Sequence, residues 1–207
     1  MPFVFDTVPL TPPAHLSDES TIAEYLKWAQ SLLPQGRVLV RIELNGALLE
    51  GAALAHVRRD PLGTATLTLS TGEVKEISLT TLGKLAALIE WLAPQHRSVA
   101  EELERGQTQH GLERLQGILS AWQQIQQAYG NLAKMLEISL GDLPVHDLNG
   151  EAVLDEFCKQ LGEIQTALSN QDFVMLADIL QYEMDGAIAN WMALLEATLG
   201  VVEPVAA

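Results

Sequence analysis

The sequence predicts an α+β protein that is predominantly α, with a small N-terminal β-hairpin or three-stranded unit followed by an antiparallel bundle of long helices. Two observations carry this. The apolar pattern changes from period two to period 3.6 near Ser78, and two later segments place apolar residues at alternating spacings of three and four. The boundaries drawn from that change are 1–77 for the N-terminal α+β unit, 78–200 for the helices and 201–207 for a loose tail. A chain of 207 residues that is 48% hydrophobic has enough material for a sizeable core.

The N-terminal elements follow from local signals. Phe3 and Phe5 alternate in a proline-rich stretch, as in a short strand or a strap across a core. Ser17, Asp18 and Ser20 offer caps for a helix over about 18–33, with Ile22, Leu26, Ala29 and Leu33 on one face and Pro34 and Gly36 ending it. Residues 37–44 and 47–50 flank Asn45-Gly46, a pair that favours a type I′ hairpin because both positions need positive φ. Residues 51–59 fit either a short helix or irregular chain, and 64–70 form a strand rich in β-branched residues. Such a sheet is marginal alone and needs a helix to cover it.

The helical part begins at Ser78, with Leu79, Leu82, Leu85, Ile89 and Leu92 on one stripe. Pro94 is expected to kink or break this helix, which resumes toward a stop at Gly106. Leu115, Ile118, Trp122, Ile125, Tyr129, Leu132 and Leu136 form a coiled-coil-like seam, and so do Leu154, Phe157, Leu161, Ile164 and Leu168. The last helix is expected over about Asp172–Leu199, with Gly200 as its stop. Its stripe is Phe173, Leu176, Leu180, Met184, Ala187, Trp191, Leu194 and Thr198. The two consecutive spacings of four make a stutter that puts Glu183 at the seam's edge. Met175, Ile179 and Tyr182 give this helix a second apolar face, as in a helix central to a bundle or buried against another chain.

Charge narrows the partners. The formal net charge is −15, and the stretch from Met135 to Ala207 holds 13 acidic residues against one basic residue, Lys159. Such a surface repels phosphate backbones and anionic lipid heads, which disfavours nucleic-acid and membrane binding. No apolar run approaches a membrane span, and residues 1–13 lack the features of a signal peptide. The single Cys158 allows no internal disulfide and suits a reducing compartment, so cytoplasmic residence is the expectation.

No catalytic constellation, metal motif or phosphate loop stands out, and no cofactor is expected. Asp178, Tyr182 and Glu183 are the candidate polar cluster between helices; the alternative is a structural ion pair at Glu183 with Asp178 facing water. Asp147, Asn149, Gly150 and Glu156 fall at calcium-loop positions, but Val145 stands where the first carboxylate belongs, so an Asn149 cap is favoured. No two of the five histidines are helical neighbours; His96 reads as a packed residue and Cys158 as a buried, inert thiol. Trp91 lies opposite Leu82 and Ile89, which makes it an interface anchor together with Met175 and Ile179, or a residue packed on the β unit.

The segment Leu176-Ala177-Asp178-Ile179-Leu180-Gln181-Tyr182-Glu183, with Trp191 eight residues on, resembles the C-terminal helix of a group of uncharacterised bacterial proteins. The resemblance covers about the last 30 residues. It implies a bacterial origin, no particular activity, and a shared role for Asp178, Tyr182 and Glu183. Two functional expectations follow. The leading one is a non-enzymatic helical interaction protein (an adaptor, chaperone or regulator), working as a homodimer or with a protein partner. The other is a small-ligand binder or enzyme with a polar pocket around Asp178, Tyr182 and Glu183.

Overall fold

The computed structural model describes residues 3–203 and is α+β, predominantly α. It divides into two compact units, Met1–Ile77 and Ser78–Ala207. In the first unit, β1 (Phe3–Phe5), β2 (Val8–Leu10), β3 (Arg37–Leu44), β4 (Ala47–Leu48) and β5 (Leu67–Glu73) form one sheet in the order β2-β1-β5-β3-β4. The sheet has five strands where three were expected, because β1 pairs in parallel with β5 and brings β2 with it as an antiparallel edge. Asn45 (φ 53°) and Gly46 (φ 79°) turn β3 into β4 as the Asn-Gly pair predicts.

Helix α1 (Ile22–Ser31) starts later than the sequence suggested. Thr21, rather than Ser17, Asp18 or Ser20, is the N-cap; it forms a reciprocal capping box with Glu24. Ile22 N–H donating to Asp60 O (3.0 Å) and Leu62 N–H to Ser20 O (2.9 Å) pin that start. The helix buries Ile22, Tyr25, Leu26 and Ala29 with Phe3, Leu62, Leu67 and Leu69, and Trp28 packs on Phe3. Residues Gly51–Val57 form α2, which settles the ambiguity over that stretch. The β1–β2 turn runs through Asp6 (φ 47°) and Thr7 (φ 70°), and the Asp6 carboxylate accepts from both the N–H and the hydroxyl of Thr71 on β5. These hydrogen bonds, helped by the charge of Arg37, hold the Asp6 carboxyl below the usual value against a smaller effect of burial.

The second unit follows from β5 through α3 (Val74–Glu104). Pro94 does not break α3. It is exposed, so the Glu90 carbonyl left without its N–H partner sits on the solvent side of the helix. After α3 come α4 (Thr108–Met135), a short hairpin of β6 (Pro144–Val145) and β7 (Leu148–Asn149), α5 (Gly150–Ser169), α6 (Phe173–Asp178), a π-helical turn at Ile179–Glu183, and α7 (Met184–Val202). Gly200 does not stop the last helix; of the expected loose tail, Val201 and Val202 are helical and 204–207 lie outside the described residues. Helices α3, α4, α5, α6 and α7 share one apolar core. The α4 seam is buried from Leu115 to Leu132. In α5 the buried line is Val153, Phe157, Ile164 and Ala167, which leaves Leu154, Leu161 and Leu168 only half-covered.

The Asp6–Thr71 tie should be worth measuring in isolation. Asp6→Ala removes an acceptor for two donors and places alanine at positive φ, and is expected to destabilise the chain by about 1–3 kcal/mol in urea unfolding. Asp6→Asn, which tolerates that backbone better, should cost less.

Candidate functional site

The expected cluster on the last helix falls at a π-turn, Ile179–Glu183. In an α-helix, consecutive spacings of four drift around the axis; one wider turn absorbs the extra residue and returns the stripe to the core. Leu176, Leu180, Met184, Ala187 and Trp191 are accordingly all buried. The turn carries Ile179, 2% exposed, into the same core, so this residue of the expected interface packs inside its own chain. Met175 stays on the surface, as do Val174, Tyr182 (69% exposed) and Trp91 (56%).

Asp178 and Glu183 border different grooves, and Tyr182 is exposed. Asp178 borders a small groove of about 150 Å³ with Leu103, Glu104, Phe173, Val174 and Ala177. Glu183 lines a groove of about 530 Å³ with Asp155, Glu156, Lys159, Gln160 and Glu163 of α5. Desolvation raises the Glu183 pKa, and the charge of Glu163 and a hydrogen bond between the two carboxyls raise it further. Lys159 is the cation among the residues lining this groove. No group of three or more His, Cys, Asp or Glu among the described residues has the geometry to hold a metal ion.

Other candidates resolve into structural roles. Val145 pairs with Leu148 across the β6–β7 hairpin, and Asn149 accepts from Ala152 N–H (2.8 Å) as the α5 N-cap, so the calcium-like spacing belongs to a turn and a cap. Cys158 is exposed, contrary to expectation: Phe157 takes the buried position, and the next residue lies about 100° around the helix.

At the centre of the unit, Trp122 meets Phe157 (centroids 4.6 Å apart), Trp191 (5.9 Å) and His96 (6.0 Å), and Tyr129 meets Trp191 edge-on (5.6 Å). Trp122 Nε1–H donates to His96 Nε2 (2.9 Å). Thr198 Oγ1 donates to Leu194 O (2.8 Å), so its 3.0 Å contact with Tyr129 is a bond donated by the tyrosine hydroxyl. Burial raises the Tyr129 pKa and the Thr198 bond partly offsets this. The Nε1 of Trp191 is buried without a partner.

A second polar feature went unseen in the sequence. Arg114 of α4 reaches Gln95 Oε1 (2.7 Å), Ser98 Oγ (2.9 Å) and the carboxylate of Glu102, all on α3. Glu102 also accepts from His110 Nδ1 (2.9 Å). Desolvation pushes the Glu102 pKa up, but the bonds and charges of Arg114 and His110 outweigh it and hold the carboxyl below its usual value. From Glu102 back to His96, the partners on α4 advance from His110 to Trp122. The signal was the spacing of Gln95, Ser98 and Glu102, a polar three-four stripe on an otherwise amphipathic helix.

Two further grooves are mainly aliphatic. One, about 530 Å³, lies between α3 and α7 and includes Leu79, Leu82, Ala86, Met192 and Leu199, with His146 and Glu196 at its margin. The other, about 640 Å³, lies between α4 and α5 and is lined by Leu112, Leu115, Leu119, Leu161 and Leu168 with Gln116, Ser120, Gln123 and Gln126. None of these nine side chains is charged.

The fold and its grooves define a mostly helical α+β protein whose helical unit closes on an aromatic core. The chain belongs to the family of the domain of unknown function DUF8042, whose model matches residues 80–194. That stretch lies within the Ser78–Ala207 unit and contains the Leu176–Glu183 segment and Trp191. Comparisons with curated proteins and with solved structures return no match.

Two measurements check this arrangement. Trp122→Ala should lower unfolding stability by about 3–5 kcal/mol, and Tyr129→Phe by about 1 kcal/mol because Thr198 keeps its bond to Leu194. Glu183 has a folded pKa above its unfolded value, so its contribution is present below pH 4.5 and is lost as pH rises through the raised value. Glu183→Gln should therefore stabilise the protein at pH 7, by less than about 1 kcal/mol given solvent screening, and have no such effect at pH 4. Thermal unfolding at the two pH values reads the difference.

Proposed function

We propose that the chain is a non-enzymatic helical interaction protein, an adaptor, chaperone or regulator, whose antiparallel helical bundle associates with a second copy or another protein through an apolar groove. The observation that carries this reading is the α4–α5 groove. Leu161 and Leu168 sit one heptad apart on α5 and remain half-covered, opposite Leu112 and Leu119, with no charged lining in a chain of net charge −15. A leucine-lined channel between two helices suits the apolar face of a third. Trp91, Val174 and Met175 add exposed apolar surface elsewhere on the helices. The −15 charge supports a protein partner over nucleic acid or an anionic membrane. Among the described residues no helix is long and apolar enough to cross a membrane; cytoplasmic residence, suited by the single Cys158, and a bacterial origin, implied by the Leu176–Glu183 resemblance, are part of this proposal.

Sedimentation equilibrium tests the homodimer. The expected result is a dimer that tightens with added salt, as repulsion between two −15 chains is screened. Leu119→Glu with Leu161→Glu should give a monomer with unchanged helical circular dichroism. A wild-type chain that is monomeric at every concentration and salt overturns the homodimer.

A second reading is favoured by the carboxyl pair of Glu163 and Glu183 at the π-turn, since such turns recur at functional sites. It makes the α5 groove, rather than a combined Asp178, Tyr182 and Glu183 pocket, the seat of a small cationic ligand. Binding lost in Glu183→Gln and absent at pH 4 would support it.

A further inference from the structure

We propose that His96 and Trp122 form an acid-sensitive latch between α3 and α4, in which the imidazole holds the indole N–H only while it is neutral, so that uptake of a proton releases the two helices and opens the aromatic core. The geometry assigns the proton positions. Nε2 accepts from Trp122 at 2.9 Å, so in the neutral ring the proton sits on Nδ1. A second proton must go to Nε2, the atom already receiving the indole N–H. Two donors would then face each other, and the indole would lose its acceptor inside the core.

The surroundings give the cation little compensation. His96 is 1% exposed, and its Nδ1 makes no well-formed hydrogen bond, although the backbone of Leu92 one turn back favours the charged form. From α7, Asp185 also favours it, but this carboxylate is bound to Arg97. From α4, the Arg114 guanidinium is engaged with Glu102 rather than with the imidazole, and the titratable Tyr129 is engaged with Thr198. The α5 contribution around Trp122 is Phe157.

Burial accordingly lowers the His96 pKa from 6.5 to about 4. The unfolded chain takes up this proton near pH 6.5 and the folded chain only near 4, so the stabilisation is fully present above pH 6.5 and is lost as pH falls toward 4. From pH 7 to pH 4 the folding equilibrium should fall on the order of 100-fold on account of this one group. The N-terminal unit has its own core, and its histidines, His15 and His56, are exposed.

Nuclear magnetic resonance on the full chain between pH 7 and pH 4 tests the latch. The expected result is that the Trp122 indole N–H and the amides of α3 and α4 lose exchange protection together as pH falls below 6.5, while β3 and β5 amides remain protected. In His96→Gln, whose side-chain oxygen accepts from the indole without titrating, that loss should be absent down to pH 4. A folded His96→Gln variant that opens over the same pH range as wild type overturns the proposal. So does a wild-type His96 ring that titrates near pH 6.5 while the Trp122 indole stays protected, a result that does not depend on the variant folding.

Discussion

The contact on which the helical unit depends is the packing of Trp122 against Phe157 and Trp191, rings tilted by 51° and 45° to it. These three rings come from α4, α5 and α7, and His96 and Tyr129 extend the cluster along α3 and α4. Rings of this size contribute more buried area per residue than any aliphatic side chain, and their tilted and edge-on geometries leave few alternative packings. The positions of the helices around them are correspondingly constrained. The polar atoms carried in with the rings are handled unequally. Tyr129 and Trp122 find partners, whereas Trp191 Nε1 does not, and an unmade bond of that kind costs about 1–3 kcal/mol.

The π-turn is the second constraint and follows from the first. Trp191 must face inward, and so must Leu176 and Leu180, about four and three turns earlier. The residue spacing between them does not fit a regular α-helix, and the wider turn reconciles it. Its by-product is the placement of Glu183 at the rim of the α5 groove beside Glu163. A local adjustment made for packing thus brings two like charges together on the surface.

Much of this was legible in the sequence, and the exceptions have physical causes. The Asn45-Gly46 turn, the α4 seam and the last helix's stripe follow from local backbone preference and periodicity, which a single chain segment states by itself. The parallel β1–β5 pairing was not readable, because it joins residues some 64 positions apart and no local signal encodes it. The stutter marks an irregularity but not its form: Ile179, on the second apolar face, is buried in the chain's own core, the alternative in which that face is central to the bundle. Asp178, Tyr182 and Glu183 are close in sequence, which does not by itself place them on one groove. The Arg114 clamp was missed because its acceptors lie on another helix, where sequence spacing gives a stripe but no partner.

The N-terminal sheet ends on one side in β2, three residues long with Pro9 at its middle, and on the other in β4, two residues long. Proline offers no N–H to a neighbouring chain, and two residues make too short a template for pairing. The β2 border is thereby blunted against strand exchange and fibril-like growth, whereas β4 covers only Glu43 and Leu44 and, among the described residues, leaves residues 37–41 of β3 without a partner strand on that side. Two molecules meeting in solution find little backbone to share at β2, and the backbone the sheet does offer lies along β3.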